Sequence, residues 1–102
     1  MNTVFEQLGL LAERGVRVEM LSRFEFKVYG FYKSDSVTVH TVNQTLTARY
    51  DEVDEFMLED LTEALVALNH QWWERSAWRY AGWAEPEPAW KSLMLEYGYE
   101  VD

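Results

Sequence analysis

The chain contains no cysteine. That one absence excludes a disulfide scaffold, a thiol nucleophile and every thiolate-ligated metal site. Proline and glycine are sparse, two and five among 102 residues, which is the composition of a folding chain and not of a disordered one. No run of roughly 18 apolar residues occurs, so no transmembrane helix is expected. The opening MNTVFEQLGLLAERG lacks the basic segment and long apolar stretch of a secretory signal. Asn43-Gln44-Thr45 matches a glycosylation sequon, but without such a signal it reads as a turn. A soluble, cytoplasmic protein with no membrane partner is the expectation.

Basic residues are also short. Nine Lys and Arg stand against eighteen Asp and Glu, for a net charge of −9. A chain this acidic repels nucleic-acid phosphates, so no direct nucleic-acid binding is expected. The same charge suits a protein partner whose own surface is basic.

What is present is a core. Hydrophobic residues make up 48% and aromatics 16%, enough for one domain over residues 1–102. Thr3 and Glu6 read as a capping box opening a helix over about 3–14, with Val4, Phe5, Leu8 and Leu11 on its apolar stripe and Gly15 as its stop. From Val16 to Tyr50 the period changes to two. Phe24, Phe26 and Val28 alternate with polar residues, as do Val37 with Val39, and Leu46 with Ala48 and Tyr50. These are consecutive antiparallel hairpins with one apolar face, and Val16, Val18 and Met20 offer a short extra strand. Tyr29 and Phe31 fall on the polar face, where they would be partly exposed. A long helix over about 57–81 carries the stripe Leu58, Leu61, Leu65, Leu68 and Trp72. Pro88 suits the first turn of a last helix, Ala89 to Tyr97, which Gly98 stops. The reading is an α+β domain in the order α-β-β-β-α-α, a three- to four-stranded antiparallel sheet with helices packed on one face.

Catalytic signatures are missing. The five serines form no G-x-S-x-G elbow, and the five glycines form no phosphate loop. His70 and Glu74 are spaced i, i+4, but His70 projects about 160° from the core stripe at 100° per residue, into solvent. His40 is placed on the outer sheet face, and no third ligand accompanies either histidine. No enzyme activity, cofactor or metal is expected. An enzyme or small-ligand binder using His70 and Glu74 stands as the alternative that these absences weigh against.

Two stretches point instead to a partner. The first is DEVDEFMLEDLTE, residues 51–63, seven acids and no base. A helix dipole accounts for acids near the first turn, such as Asp54, Glu55, Glu59 and Asp60, and less well for Asp51, Glu52 and Glu63. The second is HQWWERSAWRYAGW, residues 70–83. Trp72 completes the core stripe, Trp73 borders it, and Trp90 is placed in the core. Trp78 and Trp83 leave the stripe in the company of Arg75 and Arg79, the residue types that dominate interface hot spots. The residues expected to contact a partner are therefore Asp51, Glu52, Asp54, Glu55, Glu59, Asp60, Arg75, Trp78, Arg79 and Trp83.

On the acidic run and the −9 charge, the chain resembles in composition the small phage-encoded inhibitors of bacterial immunity, the anti-CRISPR and anti-restriction proteins. The resemblance implies a non-enzymatic inhibitor or decoy acting on a Cas or restriction component, whose basic nucleic-acid-binding surface the acids would meet. It carries no aligned motif and transfers no residue role. The alternative is an interaction module that forms a homodimer through Trp78 and Trp83 or through an exposed sheet edge.

Overall fold

A computed structural model describes residues 4–31, 35–48, 52–53, 61–75 and 86–101. Helix α1 spans Val4–Glu13. Five strands follow: β1 Val18–Met20, β2 Glu25–Phe31, β3 Asp35–His40, β4 Thr45–Ala48 and β5 Glu52–Val53. Helix α2 is Leu61–Arg75 and helix α3 is Pro88–Glu96. The strands pair antiparallel in sequence order. The α+β class and the expected order of helix, antiparallel strands and two helices hold. Val18 and Met20 do form the extra strand, and the two-residue β5 extends the sheet one strand further than expected. Thr3, Tyr50, Leu58 and the outer ends of the expected 57–81 helix lie outside the described residues.

The sheet buries one face because its side chains alternate in register. Phe26 pairs with Val39 and Val39 with Leu46, while Val28 pairs with Val37 and Val37 with Ala48. All of these are buried, together with Leu8 and Leu11 of α1, Leu61, Leu65, Val66, Leu68, Trp72 and Trp73 of α2, and Trp90, Leu93 and Met94 of α3. The opposite face carries Lys27, Thr38, His40 and Thr47, none of them buried.

Phe31 departs from the expected alternation. It is fully buried, with its ring centroid 5.0 Å from that of Trp72 and 4.8 Å from that of Trp90. The cause is Gly30. At φ +100 it occupies a conformation that other residues rarely adopt, and the register between β2 and β3 shifts between Tyr29 and Phe31. This β-bulge carries Phe31 across to the core while Tyr29 stays outside. Trp90 fills the space that the missing Gly30 side chain leaves, and its indole N–H donates to the Tyr29 carbonyl at 3.0 Å.

Both shorter helices end in the same way. Gly15 N–H donates to Ala12 O and Val16 N–H to Leu11 O; Gly98 N–H donates to Leu95 O and Tyr99 N–H to Met94 O. Each is a Schellman stop with its glycine at positive φ, as the sequence predicts. Where these helices meet, Arg14, directly after α1, forms a two-pronged bond to the Glu96 carboxylate of α3, at 2.5 and 3.1 Å.

The α1 stripe needs a correction. Phe5 is 59% exposed, and Gln7, absent from the expected core, is buried. At 100° per residue Gln7 lies about 40° beyond one edge of the arc that Val4, Leu8 and Leu11 define, closer to it than Phe5, which lies about 60° beyond the other edge. Gln7 also has a partner there, because its Oε1 accepts the Thr62 N–H at the start of α2 at 3.1 Å.

Candidate functional site

Most of the residues expected to touch a partner lie outside the described part of the chain: Asp51, Asp54, Glu55, Glu59, Asp60, Trp78, Arg79 and Trp83. Glu52 contributes backbone to β5, opposite Thr47, and Arg75 is the last residue of α2. The structure describes neither side chain.

His70 is not in open solvent. Its side chain is 20% exposed, and its ring stacks on Tyr99 with centroids 4.5 Å apart. Tyr99 is the residue that the α3 stop folds back, since its N–H bonds Met94 O. The helical projection was sound for α2 alone, and a residue from after α3 supplied the cover. Glu74 lies 3.5 Å from His70 Nε2, a local helix pair. Among the described residues, no three His, Asp or Glu gather to hold a metal ion.

A second polar line crosses the outer sheet face. His40 Nδ1 lies 3.5 Å from a Glu25 carboxylate oxygen, and His40 Nε2 lies 3.1 Å from the Thr47 hydroxyl. Glu25 and His40 are register partners on β2 and β3, with Thr47 on β4 beyond. The order of acid, imidazole and hydroxyl has the connectivity of a nucleophile and its base. It stands, however, on an open face with Glu25 45% exposed, where water competes for each bond. The line does its work as cross-strand pairing.

The surface that stands out is apolar. Where the β1–β2 and β3–β4 turns meet the start of α1, Val4, Phe5, Met20, Phe24 and Val42 line a groove of about 590 Å³, with Arg23 and Thr41 at its polar margin. Phe5, Met20, Phe24 and Val42 are each more than half exposed, and Leu21 nearby is almost half exposed. Phe24, expected to be a core strand residue, belongs to the turn before β2. Leu21 N–H and Ser22 N–H both bond Glu25 O, and Phe24 N–H bonds the Ser22 hydroxyl at 3.3 Å. Thr41 N–H and its hydroxyl both donate to Phe24 O, which ties the two turns together. Phe5 is held edge-on to Phe26 with centroids 5.4 Å apart. Hydrogen bonds hold the backbone that carries Phe24, and ring packing holds Phe5, while both residues stay more than half exposed.

Sequence reasoning missed this groove because Phe5 and Phe24 both satisfied a core pattern. The available signal was Ser22. Strands at Val18–Met20 and Glu25–Phe31 require a turn between them, and Ser22 with Phe24 must lie in it.

A smaller cleft of about 280 Å³ opens between α1, the start of α2 and α3, lined by Gln7, Leu10 and Leu93 and rimmed by Arg14 and Glu96. The guanidinium of Arg14 holds the Glu96 carboxyl below its ordinary value, chiefly by direct hydrogen bonding.

Compared with protein-family models, curated proteins and solved structures, the chain matches none.

Proposed function

We propose that this protein is a binding module, an acidic inhibitor or decoy that docks on a basic protein surface rather than an enzyme. The observation that carries the reading is the groove at Phe5, Met20, Phe24 and Val42. Large apolar side chains held in place yet open to water, clustered at one end of a small domain, are the usual mark of a protein-binding site. The net charge of −9 adds long-range attraction toward a basic partner, and it acts on encounter rate more than on the contact itself. A partner that grips nucleic acid is the basic surface to which such a charge is best suited. The acidic run at Asp51, Glu52, Asp54, Glu55, Glu59 and Asp60 supplies a third of the chain's eighteen acids.

The test is affinity capture from a bacterial lysate, identified by mass spectrometry and repeated at low and high salt. The wild-type chain is expected to retain a basic protein. Phe24→Ser should abolish retention, and reversing the six acids should weaken it most at low salt. Retention indifferent to both changes and to salt would overturn the reading.

A further inference from the structure

We infer that two copies of this chain pair through β1 about a two-fold axis at Val18, so that Arg17 of each copy meets Glu19 of the other. The inference goes beyond the binding reading above and does not depend on it. The ladder fixes where the backbone groups point. Tyr29 N–H bonds Arg17 O and Leu21 N–H bonds Glu25 O, both at 2.9 Å, in the register that sets Val18 opposite Val28. Hydrogen-bonded pairs alternate in an antiparallel ladder, so Arg17, Glu19 and Leu21 turn their polar backbone groups to β2 while Val18 and Met20 turn theirs outward. Among the described residues no strand takes that side. A two-fold axis at Val18 gives the two Val18 residues a reciprocal pair of N–H to C=O bonds and joins two sheets into one.

A short, charged edge refuses most strands. Here the charges are also held in place: the Arg17 guanidinium lies over the Tyr29 ring at 4.4 Å, and the Tyr29 hydroxyl donates to the Glu19 carboxylate at 2.9 Å. Self-pairing centred on Arg17 or on Glu19 would set like charges opposite each other. Centred on Val18, it sets Arg17 opposite Glu19 twice, on the outer face where Tyr29 already orders both groups. The Arg17 side chain is still 72% exposed, so it can add that bond without leaving Tyr29. The edge is selective, and its own sequence satisfies the selection.

The inner face agrees. Met20, 68% exposed, comes opposite Val16 of the second copy. Helix α1 packs on β1 and on α2, with Gln7 turned to Thr62 of α2. Phe5, Gly9 and Ala12 are exposed and lie about 140–160° round the helix from Gln7, so they look past β1 toward the α1 of the second copy. Nothing stands within 4 Å of a Cβ built on Gly9, which leaves room for that helix. The net charge of −9 sits mostly elsewhere. From Arg14 to Arg49 the chain holds six of its nine bases and three of its eighteen acids, and β5, which carries Glu52, is the opposite edge of the sheet. Each groove opens at the Met20 end of its strand, so the pair presents two grooves at opposite ends.

Sedimentation equilibrium of the full chain, from about 1 μM to about 1 mM, tests the pairing. The wild type is expected to dimerise reversibly within that range, with amide exchange at Val18 slowing as the dimer forms. Arg17→Glu and Glu19→Arg should each weaken self-association at least about tenfold, because each sets like charges opposite at two places. Mixed together, those two variants should form a heterodimer, and the double variant Arg17→Glu/Glu19→Arg should regain self-association. Loss of fold cannot imitate that pattern, since complementation needs both edges intact. A monomer throughout the range, a dimer indifferent to the charge reversals, or variants that fail to complement on mixing would each overturn the inference. Phe24 lies in the turn beyond the paired strand, so Phe24→Ser should dimerise as the wild type does. Lysate capture that depends on Phe24 in a chain that stays monomeric would show that the binding reading survives without the dimer.

Discussion

The indole of Trp90 occupies the place where a side chain on residue 30 would be. A Cβ built on Gly30 would lie 2.7 Å from Trp90 Nε1 and 2.9 Å from a Glu87 carboxylate oxygen. The pair joins α3 to the bulge that turns Phe31 inward, so one contact ties the last helix to the sheet and completes the aromatic centre.

Gly30→Ala is therefore expected to destabilise the domain by at least about 2 kcal/mol, from both the positive φ and the clash. Trp90→Phe keeps ring packing against Phe31 but leaves the Tyr29 carbonyl without its donor, for about 1–2 kcal/mol. Urea unfolding followed by circular dichroism ranks the two. A Gly30→Ala protein as stable as the wild type would contradict the packing described.

The groove variants should behave in the opposite way. Phe24 is 53% exposed and sits in a turn, so Phe24→Ser should change stability by less than about 0.5 kcal/mol. Phe5→Ser forfeits the edge-on contact with Phe26 and should cost about 0.5–1.5 kcal/mol. Both should reduce partner capture far more than their thermal melts suggest.

Gln7 is a buried amide whose Oε1 caps the Thr62 N–H while its Nε2 has no hydrogen-bond partner among the described residues. Gln7→Ala removes that cap and opens a void between α1 and α2, so a loss of about 2 kcal/mol is expected in equilibrium unfolding. Gln7→Glu keeps an acceptor but buries a carboxylate, so its penalty should shrink as the pH falls and the group protonates.

Glu96 offers a pH test with a fixed sign. Its carboxyl titrates below its ordinary value because Arg14 bonds the charged form. A depressed folded-state pKa gives a contribution that is complete above the unfolded pKa and is lost as pH falls through the folded one. Carbon NMR should place the Glu96 midpoint below that of an ordinary glutamate, and Arg14→Ala should return it. Both side chains reach solvent, so the titration and not the melting temperature is the informative reading.

How far the sequence could be read depended on whether one element decided the outcome. Gly15, Gly98 and Pro88 act locally, and each lies where local chemistry puts it. Trp72 and Trp90 follow a helical stripe and are buried as expected. The misreadings arose where two elements meet. Phe31 obeyed a period of two that Gly30 interrupts, His70 gained its cover from Tyr99, and Gln7 joined the core because Thr62 awaited an acceptor. The candidate site belongs to this second kind, since a groove built from two turns and a helix start leaves no periodic trace. Most of the acidic run and the Trp78 and Trp83 pair lie outside the described residues, and they enter the proposed function through their chemistry alone.

The Arg14–Glu96 clasp has a further consequence, for the timing of folding. Its partners are 82 positions apart. Helix α1 leans on α2 and α3, so the segment synthesised early must wait for the segments synthesised last. Until then the apolar side of α1 and the inner face of the sheet are both open on a nascent chain. Such long-range closure slows folding and prolongs exposure to aggregation. On the ribosome, this domain should therefore reach its native state only after residue 96 has cleared the exit tunnel.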